Sequence, residues 1–415
     1  MRTLWVVGWI SFLLGYGPLG VSYAQSIEVS PTGPFTSLTA ALQEVGVGDT
    51  IYVRPGVYKE PTLVVDKTVH LIGEQGAILD GANEREIMRI TAPNVEVRGF
   101  TFRNVGISFI EDNAAIKVER TSGCLIAGNT LENTFFGIYL AKTSDCIVRD
   151  NQIRGEAVRE VTSGNGIHLW DCQRITIEHN QIAHHRDGIY FEFVKDSYIA
   201  HNTSQENLRY GLHFMFSDRC IYEFNTFREN MAGVAVMYTN HVTMRRNIFQ
   251  HNWGSASYGL LLKDINDSQV IENRFIQNSI GLYAEDSDRL TVERNQFQEN
   301  GWAVRILTNS QQGYFRHNNF IANSFDVGTN GKHHTSRFEE NFWDQYTGYD
   351  LDRDGVGDIP YYPVRLFAFI VEQNPPALIL LRSFFVELLD AAERVLPVLT
   401  PETLADHRPK MKPIP

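Results

Sequence analysis

The sequence predicts an all-β, right-handed parallel β-helix built from coils of about 22 residues, and three observations predict it. An asparagine recurs at Asn129, Asn151, Asn180, Asn202, Asn225, Asn247, Asn273, Asn295, Asn318 and Asn341, at intervals of 22 or 23 residues interrupted by one of 29 and one of 26. A second series, Asn133, Asn207, Asn230, Asn252, Asn278, Asn300 and Asn323, follows four or five residues behind the first. Short β-prone runs such as Ile175-Thr176-Ile177 separate them. A unit of that length cannot bury its own apolar face, so successive units must stack into a solenoid. The asparagines then sit at turns, where they tolerate left-handed backbone and bond to neighbouring coils; they are structural, not catalytic.

The elements follow in order. Arg2, the apolar run Leu4 to Leu14 and the small-x-small site Ser22-Tyr23-Ala24 read as an export signal over 1–24. Thr36 or Ser37 is placed to cap a helix carrying Leu38, Ala41, Leu42 and Val45 on one face and ending at Gly46, a plug for the open end of the solenoid. Gly48 to Tyr58 opens the strands, and the β-helix is expected over 25–345. An acidic loop and linker over 346–374 and a helical tail over 375–415 complete the division. The tail helix starts after Pro375-Pro376, with Leu381, Phe385, Leu388, Ala392 and Val395 on one stripe. Its five charges between Ala377 and Leu396 argue against a membrane span and for docking on a partner, a membrane surface or the end of the solenoid.

Alignment on the glycine of each coil exposes the chemistry. After Gly166, Gly188, Gly211 and Gly233, the first and third residues are apolar and point inward, so the second and fourth point out. The outward pairs are His168/Trp170, Tyr190/Glu192, His213/Met215 and Ala235/Met237. Coils about 4.8 Å apart let such side chains meet on one cation, and imidazole with thioether suits copper; the other reading is an apolar contact patch for a protein. Met231, His241 and Met244 come from the same coils but other faces. Asp350, Asp352, Asp354 and Asp358 around Gly355 match the first half of a calcium loop, although Tyr361 stands where that loop carries its last glutamate. His184-His185 and His333-His334 read as surface or turn residues, since strand neighbours face opposite ways. Cys124 and Cys146 are expected to stack in adjacent coils as buried thiols.

The formal charge of -12 disfavours a nucleic-acid partner, which needs a basic face. The opening segment Gly48 to Tyr58, the asparagine coils, the element Asn341-Phe342-Trp343 through Gly355, and the stretch Asn374 to Val386 together resemble the NosD family of periplasmic maturation factors of nitrous-oxide reductase, over essentially the whole mature chain. The resemblance implies a non-enzymatic role outside the inner membrane. Its expected partners are an ABC-type permease with its ATPase, a copper-chaperone lipoprotein and the apo-reductase. The tail (Leu381, Phe385, Leu388, Ala392) becomes the natural contact with the permease, and the outward column the natural place to receive chaperone, reductase or metal. The rival is a polysaccharide lyase, hydrolase or epimerase on the same fold. Such enzymes need paired carboxylates or a basic residue beside a bound uronate, yet the outward Glu192 and Glu285 lie four coils, about 19 Å, apart.

Overall fold

Each coil contributes one strand to each of three parallel sheets, and side-chain alternation drives the closure. Strands such as Ile167–Trp170 and Ile189–Glu192 bury every second residue in one central column while the others face out. The computed structural model describes residues 25–108, 110–331, 335–381, 383–395 and 404–415; the expected export signal and His333-His334 lie outside them. Sheet A has 14 strands, sheet B 13 and sheet C 12, and the chain runs A to B to C and on to the next coil. In the interior, Phe227, Phe249, Phe275, Phe297, Phe320 and Trp343 stack one per coil at centroid separations of 4.0 to 5.7 Å. Full burial of each such ring contributes roughly 2 to 3 kcal/mol.

The first asparagine series is a continuous hydrogen-bonded ladder. The backbone N–H and Nδ2 of Asn180, for example, donate to Asn202 Oδ1 at 2.9 and 3.0 Å, and Nδ2 also donates to the Val148 carbonyl at 2.9 Å. The second series does the same from Asn207 to Asn323, and His185 takes its preceding rung through a backbone N–H bond to Asn207 Oδ1. His185 is therefore fully buried, unlike the surface residue expected; His184 beside it is a left-handed turn residue. Cys124 and Cys146 stack as expected, one residue before the paired strands Leu125–Ala127 and Ile147–Arg149, and all four cysteines are buried free thiols.

Both ends are covered. Helix α1 (Leu38–Glu44) is capped by Ser37 Oγ, which accepts from the Ala40 N–H at 3.2 Å, and buries Leu38, Ala41 and Val45. A strand not anticipated from the sequence, Ser26–Val29, precedes it and pairs with Thr50–Val53. The other end departs further from expectation. The stretch read as a linker contains helix α2 (Leu366–Gln373), which packs Phe367, Ala368 and Val371 on Phe325 of the last sheet C strand. The single tail helix is instead a 3₁₀ turn over Pro375–Leu380 followed by α3 (Phe384–Val395). Residues 404–415 then return to the last coil, where Asp406 and Lys410 bridge to Phe338 and Phe342. No helix among the described residues is long and apolar enough to cross a membrane.

Candidate functional site

Strand register sets the outward column of sheet C residue by residue. Tyr139, His168, Tyr190, His213 and Ala235 lie side by side, and so do Ala141, Trp170, Glu192, Met215, Met237, Lys263 and Glu285. The predicted face is thus one surface, with Glu192 and Glu285 four coils apart as counted.

Its members differ in availability. His168 is clamped between Tyr139 at 4.4 Å and Tyr190 at 4.7 Å, and Asn165 Nδ2 donates to its Nδ1 at 2.9 Å. The proton therefore sits on Nε2, and no lone pair is left for a cation. Burial and the neighbouring Arg186 hold this imidazole down to about 3, so it is neutral. Trp170 lies under the Lys142 ammonium, 4.9 Å from the ring centre, beside an open groove of about 670 Å³ shared with Phe193 and Lys195. Glu192 forms no ion pair among the described residues.

His213 differs from His168. Its ring breaks the parallel stack, standing at 80° to Tyr190, and Ala235 in the next coil leaves only a methyl group beside it. Both ring nitrogens are buried, and neither has a hydrogen-bond partner among the described residues. Met215 lies two residues along on the same face, its Sδ accepting from Tyr190 OH at 3.6 Å, with Met237 in register beyond it. One imidazole with unpaired nitrogens and two thioethers form a soft donor set that fits copper better than a hard cation.

Sequence reasoning missed two features of this face. Phe193, Phe216 and Tyr238 form an exposed ladder, stacked at 5.3 and 5.0 Å, at left-handed turn positions immediately after Glu192, Met215 and Met237. The fifth residue after each coil glycine carried that signal. The other is Asp187, fully buried beneath the column, where Arg209 Nε and Nη2 donate to its two oxygens at 3.0 and 2.5 Å and His213 Nδ1 lies 3.9 Å away. Nearer the first coils, Glu86 and Glu119 share Arg89 at 2.8 and 3.9 Å, and Lys117 lies 3.8 Å from Glu86, a charge-balanced network. Met231, His241 and Met244 lie off this face, Met231 and His241 exposed and Met244 in the core.

In the acidic loop, carboxylate oxygens of Asp350, Asp352 and Asp354 lie within 4.8 Å of one another. Asp358 is not part of that trio; its Oδ2 accepts from the Leu351 N–H at 2.8 Å. In the tail, Leu381 packs with Val386 and Leu389 against α2 and Phe325, whereas Phe385 and Leu388 are about half exposed and Ala392 is partly buried. Leu378, Ile379, Leu380 and Phe384 extend that exposed apolar surface.

A relative in Pseudomonas aeruginosa, named as a probable ABC transporter binding protein NosD, is 32% identical over 84% of this chain and 85% of its own length. The chain belongs to the NosD family. A family model described as NosD, periplasmic copper-binding protein, matches residues 153–348, which contain the whole column from His168 to Met237. A Stutzerimonas stutzeri protein, also named probable ABC transporter binding protein NosD, is 26% identical over 97% of this chain and 93% of its own. Among solved structures, the A-module of the Azotobacter vinelandii mannuronan C-5 epimerase AlgE6 superposes with a TM-score of 0.59 over 72% of this chain and 91% of its own, at 14% identity. That likeness concerns the fold alone.

Proposed function

We propose that this NosD protein is a non-enzymatic periplasmic accessory factor in copper-site maturation of nitrous-oxide reductase, with copper as its cargo. The observation that carries the reading is the soft donor set of His213, Met215 and Met237, aligned in adjacent coils within the stretch matched by a family described as copper-binding. Trp170, Glu192 and the stacked His168 continue the same outward face in the preceding coils, and the face receives a copper-chaperone lipoprotein and the apo-reductase. The relatives' printed name supports association with an ABC-type permease and its ATPase, and the exposed Phe385 and Leu388 supply an apolar contact for the permease. A structural calcium ion at Asp350, Asp352 and Asp354 belongs to the same reading.

The test is replacement of His213, Met215 and Met237 together by alanine. The variant folds, because the three side chains lie outside the central core, and reductase matured with it contains less copper. Reductase with its full copper content would overturn the assignment.

A further inference from the structure

The arrangement beneath the column poses a chemical question. A carboxylate with no exposure, Asp187, stands beside an imidazole, His213, whose two nitrogens are both buried and unpaired. A buried polar atom without a partner costs about 1 to 3 kcal/mol, so two on one ring demand an account. Arg209 grips the carboxylate from one side with two N–H donors, and Arg186 Nε lies 3.7 Å from its Oδ2. The carboxylate is thereby fixed in place, and its Oδ2 lies 3.9 Å from His213 Nδ1. That gap exceeds a hydrogen bond, so a bond between the two requires the ring to turn toward the carboxylate. Tyr190 and Tyr210 both pack against the imidazole, with ring centroids at 5.1 and 4.6 Å.

We infer that Asp187, anchored by Arg209, is a positioning residue for His213: the carboxylate takes the Nδ1 proton in a hydrogen bond and leaves the Nε2 lone pair as the donor that joins Met215 and Met237 on a soft cation. A ring nitrogen that donates to a carboxylate fixes both tautomer and orientation, and it makes the opposite nitrogen a stronger ligand. His168, two coils away, shows the converse: its Nδ1 accepts from Asn165, its proton lies on Nε2, and it has nothing to offer a cation. The two histidines of one column are thus set to opposite tautomers by their partners, one for stacking and one for binding. This inference rests on the copper reading of the face, but its tautomer half is independent of copper.

Two measurements on the full-length protein test it. In 15N-histidine-labelled, metal-free protein, with His213 assigned by the loss of its signals in His213→Asn, the imidazole is expected as the Nδ1–H tautomer; an Nε2–H tautomer overturns the inference. Second, Cu(I) affinity is measured anaerobically by competition with a colorimetric chelator for wild type, Asp187→Asn and His213→Ala. Asp187→Asn is expected to weaken Cu(I) binding about 10- to 100-fold, the usual effect of losing a carboxylate behind a histidine ligand. Unchanged affinity in Asp187→Asn alongside weakened binding in His213→Ala overturns the positioning role and leaves the copper face standing. Unchanged affinity in His213→Ala overturns the copper reading itself, and the tautomer then decides the role of Asp187 alone.

Discussion

Asp326 shows how much one residue's surroundings can reverse its ordinary behaviour. It follows Ala303 in the column that glycines hold in the earlier coils, where an added Cβ on Gly188 or Gly211 would meet the next coil's carbonyl at 2.7 Å. The last coil has no successor, so a side chain fits. There it is sealed under Tyr361, whose OH donates to Oδ2 at 3.1 Å, and burial together with the nearby Asp344 carboxylate pushes it up to about 7. In the unfolded chain it ionises near 4. Between those two pH values the unfolded chain has lost the proton and the folded chain still holds it. Its contribution to stability therefore falls as pH rises from about 4 to about 7 and is flat above. Asp326→Asn should stabilise the fold at pH 7.5 by up to about 4 kcal/mol and leave it unchanged at pH 3.5. Parallel melting curves of variant and wild type across that range would refute this coupling. None of it is visible in Phe325-Asp326-Val327, because the residues that seal the site come from Tyr361 and Asp344. The outward His, Met and Trp were legible because alternation along a strand is strict. The ring ladder of Phe193, Phe216 and Tyr238 was not, because alternation ends at the left-handed residue each of them occupies.

At the level of elements, the asparagine ladder was legible in full, since each rung repeats in sequence. Its terminator was not. Asp406 Oδ2 accepts from the Asn341 N–H, Asn341 Nδ2 and Trp343 Nε1 at 2.9, 3.1 and 3.0 Å, and its Oδ1 accepts from the Glu340 N–H at 3.1 Å. A carboxylate thus plays the part of the next asparagine from 65 residues away, a distance at which periodicity carries no information. Asp406→Ala strands those donors at about 1 to 3 kcal/mol each where they stay dry. Hydrogen exchange should accelerate at Glu340, Asn341 and the last two coils and stay unchanged near Asn180; uniform protection throughout would refute a capping role. The tail was misread for a related reason. The stripe of Leu381, Phe385 and Leu388 is apolar, but so is Val386 with Leu389, and only the presence of α2 decides which face is buried.

For the whole molecule, the tail and the end of the solenoid are one assembly. Removal of everything from Pro375 onward would take Asp406 and the returning segment with it, so loss of membrane association in such a deletion would not separate docking from unfolding. Phe385→Glu with Leu388→Glu alters only half-exposed side chains and is the cleaner change. It should release the protein from its membrane complex while the melting temperature moves by no more than a few degrees; undiminished co-purification with the permease would rule out this contact.

Among the described residues, the strand pairings of the three sheets run without a break from the first coil to the last. His213 lies five coils from the last strand of sheet C, about 24 Å at 4.8 Å per coil. A stiff rod held by its tail is a lever. If the proposed permease contact holds that end, a tilt of about 20° there sweeps the donor set through roughly 8 Å without breaking a single bond of the ladder. Work done by an ABC transporter on the tail would then reach the proposed copper face as displacement.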